Sequence, residues 1–178
     1  MVRCRGIARS RRGQAMVESA LLFPVLMLLV LGSADLGRVF YYSIAITNAA
    51  REGARHGTAY DPTNPGSPNA FASNGPIMAA LQAEVPSGIT VTQPYAAPNP
   101  STCPSQPYGD FTYPTQPNTA AVYICFNETY SLTSASPGQT IRVVILFNFA
   151  PVTPMVSSFA GSSIHMEATT VMVVQGPS

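Results

Sequence analysis

From Ser19 to Ala34 the chain carries no charged residue, and between Gln14 and Ala34 the one charge is Glu18. As a helix, that stretch rises about 31 Å, close to the thickness of a bilayer's hydrocarbon core. A run of this kind crosses a membrane, forms a buried core helix or serves as a cleaved secretory signal, and its flanks discriminate among these. Arg3, Arg5, Arg9, Arg11 and Arg12 precede it, and an arginine-rich flank marks the cytoplasmic end of a span. A core helix gives that flank no purpose. A secretory signal has a shorter apolar region ending in a small-residue cleavage site, and Leu31-Gly32-Ser33-Ala34 makes a poor one. The expectation is one span in the cytoplasmic membrane, with its N-terminus inside and the rest of the chain outside.

Charge is distributed unevenly around this run. All nine basic residues are arginines; five lie before Gly13, and the remainder of the chain sets four against eight acidic residues. A basic tail beside an acidic body can signal nucleic-acid binding. Here the adjoining apolar run assigns the arginines to membrane orientation, so no nucleic-acid partner is expected.

Helical spacing outlasts the apolar run. Leu36, Phe40, Ile44 and Thr47 form one stripe, and Val39, Tyr42, Ile46 and Ala49 an adjacent one. Asp35 and Arg38 stand at i,i+3, and Arg51 and Arg55 at i,i+4. One helix over 14–57 is therefore expected, ending near Gly57 and bent at Pro24, where a ladder hydrogen bond is missing. In Asn48-Ala49-Ala50-Arg51-Glu52-Gly53-Ala54-Arg55 the small residues Ala49, Ala50, Gly53 and Ala54 recur at helical spacing. They permit close approach by the protein's own sheet or by a neighbouring subunit, while Arg51 and Arg55 can reach carbonyls or acids.

Beyond this helix the signals are mixed. Asn74-Gly75-Pro76 can open a short helix over Ile77–Glu84. Strands are expected at Gly88–Tyr95, Ala121–Tyr130, Gln139–Phe149 and Ser162–Val174, with a proline-rich loop over 96–119 and a short helix at Val152–Phe159. The predicted class is α+β: a long N-terminal helix packed on a small, mostly antiparallel sheet. Three units result, namely a basic leader (1–13), the long helix (14–57) and an extracytoplasmic domain (58–178).

Cys4 falls in the leader, whereas Cys103 and Cys125 fall in the exported body. In an oxidising compartment those two most simply pair, which in the chain-entropy model contributes about 3 kcal/mol; two unrelated buried thiols are the alternative. No catalysis, cofactor or metal site is expected. His56 and His165 are the only histidines, and neither a nucleophile elbow nor a phosphate-binding glycine loop accompanies them. His165 shares a strand face with Glu167 and reads as a half-buried strand residue.

Glu18 remains to be explained, because a charge in oil is costly unless paired. Gly13-Gln14-Ala15-Met16-Val17-Glu18 resembles the cleavage site of prepilin peptidase substrates. The resemblance implies cutting after Gly13, which frees an α-amino group at Gln14 to pair with Glu18 of the same or a neighbouring subunit. The wider stretch Ala15–Gly57 resembles the TadE-like family, the minor pseudopilins of the tight-adherence (Flp) pilus. The matching residues are Val17-Glu18, Ala20-Leu21, Pro24, Gly32, Asp35, Gly37-Arg38 and the run Asn48–Arg55. The resemblance implies a pilin-like component working with prepilin peptidase, other pilins and the pilus assembly machinery in adhesion or biofilm formation. It also places Glu18, Pro24, Asp35, Arg38, Ala50, Arg51, Gly53 and Arg55 in assembly and helix packing. Ser19 stands where major Flp pilins carry tyrosine, and Gln14 where ordinary type IV pilins begin with phenylalanine. An uncleaved, membrane-anchored envelope protein with an external binding domain is the other reading.

Overall fold

A computed structural model describes residues 11–59, 74–93, 113–126 and 135–175. Helix α1, Arg11–Thr58, leads into α2 (Asn74–Glu84), β1 (Thr90–Thr92), β2 (Thr119–Phe126), β3 (Thr140–Phe149), α3 (Pro154–Ala160) and β4 (Ile164–Val173). The strands form one sheet in the order β1-β2-β3-β4. This is an α+β fold, a long apolar helix against a small mixed sheet.

Hydrophobic patterning explains most of it. β2 and β3 are rich in valine, isoleucine and phenylalanine and are buried on both faces, whereas β4 alternates because only one of its faces meets α1. The inner face of the sheet joins Val122, Ile124, Ile145 and Phe147 to Ile46, Ala50 and Ala54 of α1 and to Ile77 and Leu81 of α2. A smaller cluster on the opposite face gathers Ala121, Tyr123, Cys125, Val144 and Leu146, with Tyr113 packed against it. Tyr42 seats its ring 5.6 Å from Phe147 and 5.8 Å from Phe149, fixing α1 over the end of β3.

Several expectations change. The first strand has only Thr90–Thr92 and pairs parallel to β2, so the sheet is mixed. The connection from Thr92 to Thr119 exceeds the dozen or so residues a parallel return needs, and local patterning says nothing of its direction. Parts of the predicted strands, residues 94–95 and 127–130, lie outside the described residues. Helix α1 begins at Arg11, inside the expected leader, and passes unbroken through Gly13 and Pro24. A single glycine costs a helix only about 1 kcal/mol relative to alanine. Helix α1 ends at Thr58, one residue past the stop expected near Gly57, but Gly57 has a second role. A Cβ there would lie 2.8 Å from Ile77 Cδ1 and 3.1 Å from Ile141 Cδ1, so glycine is present because α2 and β3 crowd that turn. The last turn carries Arg55 and His56, favourable near the negative end of the helix dipole.

Candidate functional site

The residues singled out in the sequence fall at three heights along α1. At the bottom are Gly13, Gln14 and Glu18. Gln14 Nε2 donates to Glu18 Oε1 at 3.2 Å, and both side chains are exposed. A Cβ at Gly13 would touch nothing within 4 Å. The helix is long and apolar enough to cross a membrane, and the best such window is wholly unburied. Leu21, Leu22, Phe23, Leu26 and Leu29 are all exposed, as is Pro24. None of the described residues of the body covers this surface.

At mid-height, where the apolar run ends, Asp35 is buried at 4% exposure. Its carboxylate accepts the backbone N–H of Val152 at 3.3 Å and of Thr153 at 2.9 Å, and Arg38 donates to it at 3.3 Å. Three donors satisfy a charge that would otherwise be costly to bury. This contact ties α1 to the turn that opens α3, more than a hundred residues away in sequence. The Arg38 guanidinium also lies 5.1 Å from the Phe149 ring and 5.7 Å from the Tyr42 ring, within cation–π range. Asp35 and Arg38 thus form one cluster with Tyr42, Phe149 and Thr153. Of these partners, Thr153 and Phe149 carried no sequence signal, because nothing local marks a residue for a contact at that separation.

At the top is the Asn48–Arg55 segment. Ala49, Ala50 and Ala54 are fully buried. A Cβ on Gly53 would meet Leu81 Cβ at 3.3 Å and Ile77 Cγ2 at 3.6 Å, so this small-residue face receives α2 as well as the sheet. Arg55 binds Glu52 through two hydrogen bonds, Nε to Oε2 at 2.8 Å and NH2 to Oε1. That hydrogen bonding holds the Glu52 carboxyl below its ordinary range and raises the Arg55 guanidinium. Arg51 is exposed beside them, and a shallow pocket of about 300 Å³ is lined by Asn48, Arg51, Glu52, Arg55, Glu84 and Met172.

Cys125 is buried on β2 and disulfide-bonded; Cys103 lies outside the described residues. His165 differs from expectation: it is exposed on edge strand β4 and stacks on Tyr113, with centroids 4.2 Å apart and planes at 12°. Burial, with the Glu167 charge nearby, pushes the Tyr113 phenol up. Among the described residues no three potential metal ligands cluster.

Asn148 carries no local sequence signal either. Its side-chain amide donates to the carbonyls of Pro114 at 2.9 Å and Gln116 at 3.3 Å, pinning the approach to β2. Asn118 in that approach adopts φ 51°, a left-handed conformation that asparagine tolerates better than most residues.

No curated protein and no solved structure matches this chain. A family model described as TadE-like protein does match, over residues 13–55, about a quarter of the sequence. The matched segment begins at the glycine before the apolar run and ends at the arginine paired with Glu52, so it contains all three heights of the site. Residues 13–55 of this protein thus match the TadE-like family, the one that the same stretch resembles in sequence.

Proposed function

We propose that the protein is a minor, pilin-like structural component used in assembling a tight-adherence (Flp-type) surface pilus. It carries out no chemistry of its own. The observation that carries this reading is the TadE-like match falling on a helix whose most apolar stretch is left unburied by the described residues. Exposed leucine, valine and phenylalanine over a bilayer's thickness require lipid or other apolar helices around them. The arginine-rich leader lies on the cytoplasmic side, the sheet outside, and the subunit meets other pilins and the assembly machinery through α1.

Prepilin peptidase cuts after Gly13 in this scheme. The new amino group at Gln14 then neutralises Glu18, in the same chain or in a neighbour, making the acid tolerable in oil only when subunits are in register. In the uncut chain Glu18 has instead the Gln14 amide as its partner. A disulfide between Cys103 and Cys125 braces the exported body.

Mass spectrometry of protein recovered from native membranes tests the processing step. The mature chain is expected to begin at Gln14, and Gly13→Ala to leave the leader attached; an intact leader on the native protein favours the tethered envelope protein instead. Glu18→Ala should still reach the membrane but piliate poorly. Normal piliation by that variant would remove the pairing role assigned to Glu18.

A further inference from the structure

We propose that a groove at the junction of α1 and α3 seats an acyl chain of a membrane phospholipid and so rests the body on the bilayer surface. The groove has a volume of about 250 Å³ and its described lining is Gly32, Asp35, Leu36, Val39, Phe149, Val156 and Ile164. Among the described lining residues Asp35 is the one charged group, and its oxygens are already engaged by Val152, Thr153 and Arg38. What remains is carbon.

Depth selects the occupant. Gly32 lies within the 14–34 apolar run, and Val39 lies about 7.5 Å beyond the run's end. The polar layer on each side of a bilayer is roughly 5–8 Å deep, so the groove straddles the boundary between hydrocarbon and headgroups. Leu36, 56% exposed, belongs both to the groove and to the outward surface of α1, which makes the groove continuous with the lipid-facing helix. Val152 is held at the same height by its hydrogen bond to Asp35, yet is 72% exposed. An exposed valine there is costly in water and favourable among lipid tails. Arg38, with a third of its side chain accessible, stands beside the groove at the height of lipid phosphates. A second copy of the chain is the competing occupant.

The inference rests on the membrane-spanning reading of α1, and one experiment separates the two. The chain has no tryptophan, so a single introduced tryptophan reports its own surroundings. Full-length protein is reconstituted in phosphatidylglycerol–phosphatidylcholine vesicles, with and without bromine in the upper half of the acyl chains. Leu29→Trp reports the span, Val156→Trp the groove, Val152→Trp its exposed lip and Val173→Trp the far end of β4. Bromine should lower emission about twofold or more for the first three and leave Val173→Trp unchanged. Gly32→Phe has open space at its Cβ and should fill the groove, restoring most of the Val156→Trp emission.

Loss of quenching at Leu29→Trp overturns the membrane-spanning reading itself. Quenching at Leu29→Trp without quenching at Val152→Trp and Val156→Trp overturns the lipid proposal alone. So does a Val156→Trp signal that Gly32→Phe does not change, or one shielded from bromine by concentration-dependent self-association. Val152→Trp alters an exposed side chain and keeps the test decisive should Val156→Trp fold poorly.

Discussion

The lower half of α1, up to Ala34, and the upper half, from Asp35 to Thr58, are one unbroken helix in opposite surroundings. Below, Met16 is 76% exposed and Leu21 71%; above, Ala49, Ala50 and Ala54 are fully buried. From Ser19 to Leu31 the lower half carries no charge, and its most apolar stretch is not buried by any described element. The upper half places small residues where α2 and the sheet press closest. The difference shows that an apolar side chain stabilises only through what surrounds it: the protein supplies those surroundings for the upper half and leaves them to its environment for the lower half.

Truncation on either side of Asp35 is the sharpest way to break this comparison. Phe147→Ala removes a fully buried ring from the core and should destabilise the body by about 3–5 kcal/mol. Leu26→Ala, the same kind of deletion on the exposed half, should change body stability by less than about 0.5 kcal/mol. Urea titration of full-length protein in detergent, followed by near-ultraviolet circular dichroism, measures both. Equal losses would mean that the lower half packs on the body after all.

A smaller effect is expected at Gly57. Gly57→Ala gains helix propensity but drives a methyl group into Ile77 and Ile141, both fully buried. Overpacking of this sort costs about 1–3 kcal/mol, against about 1 kcal/mol regained from propensity, so a net loss of about 1 kcal/mol is expected. Gly32→Ala, with nothing near its Cβ and lying on the lower half, should leave body stability within about 0.5 kcal/mol. A loss at Gly57 and no shift at Gly32, read from midpoints in the same titration, are the expected result.

An effect of similar size, but local, belongs to the border residue. Asp35→Asn keeps the shape of the side chain and removes its charge and one acceptor. It should cost about 1 kcal/mol and loosen the 150–154 turn, seen as faster amide exchange at Val152 and Thr153.

Much of this architecture was legible in the sequence because the signals were local. The apolar run, the helical stripes from Leu36 to Ala49 and the β-branched stretch Gln139–Phe149 each declare themselves within a few turns or residues. The TadE-like segment was legible for the same reason, being contiguous. What escaped was set by distance. Asp35 and Arg38 were visible as a polar pair, but Thr153 and Phe149 could not be assigned to them from any local pattern. Gly57 was legible as the neighbour of the helix end, but not as the point where Ile77 and Ile141 press on α1. The short β1 strand took a parallel course because its long connection allows either direction.

The continuity of α1 has a mechanical consequence. From Asp35 to Thr58 the helix runs beside the sheet, with α2 against its upper end, so tension applied along its axis loads the Asp35 tether, the Tyr42 ring contacts and the α2 contact near Gly53 and Gly57 side by side. Force shared in shear among parallel contacts is resisted far better than force that peels them open in turn. A body fastened in this way to its own stem would stay attached when the lower half is pulled.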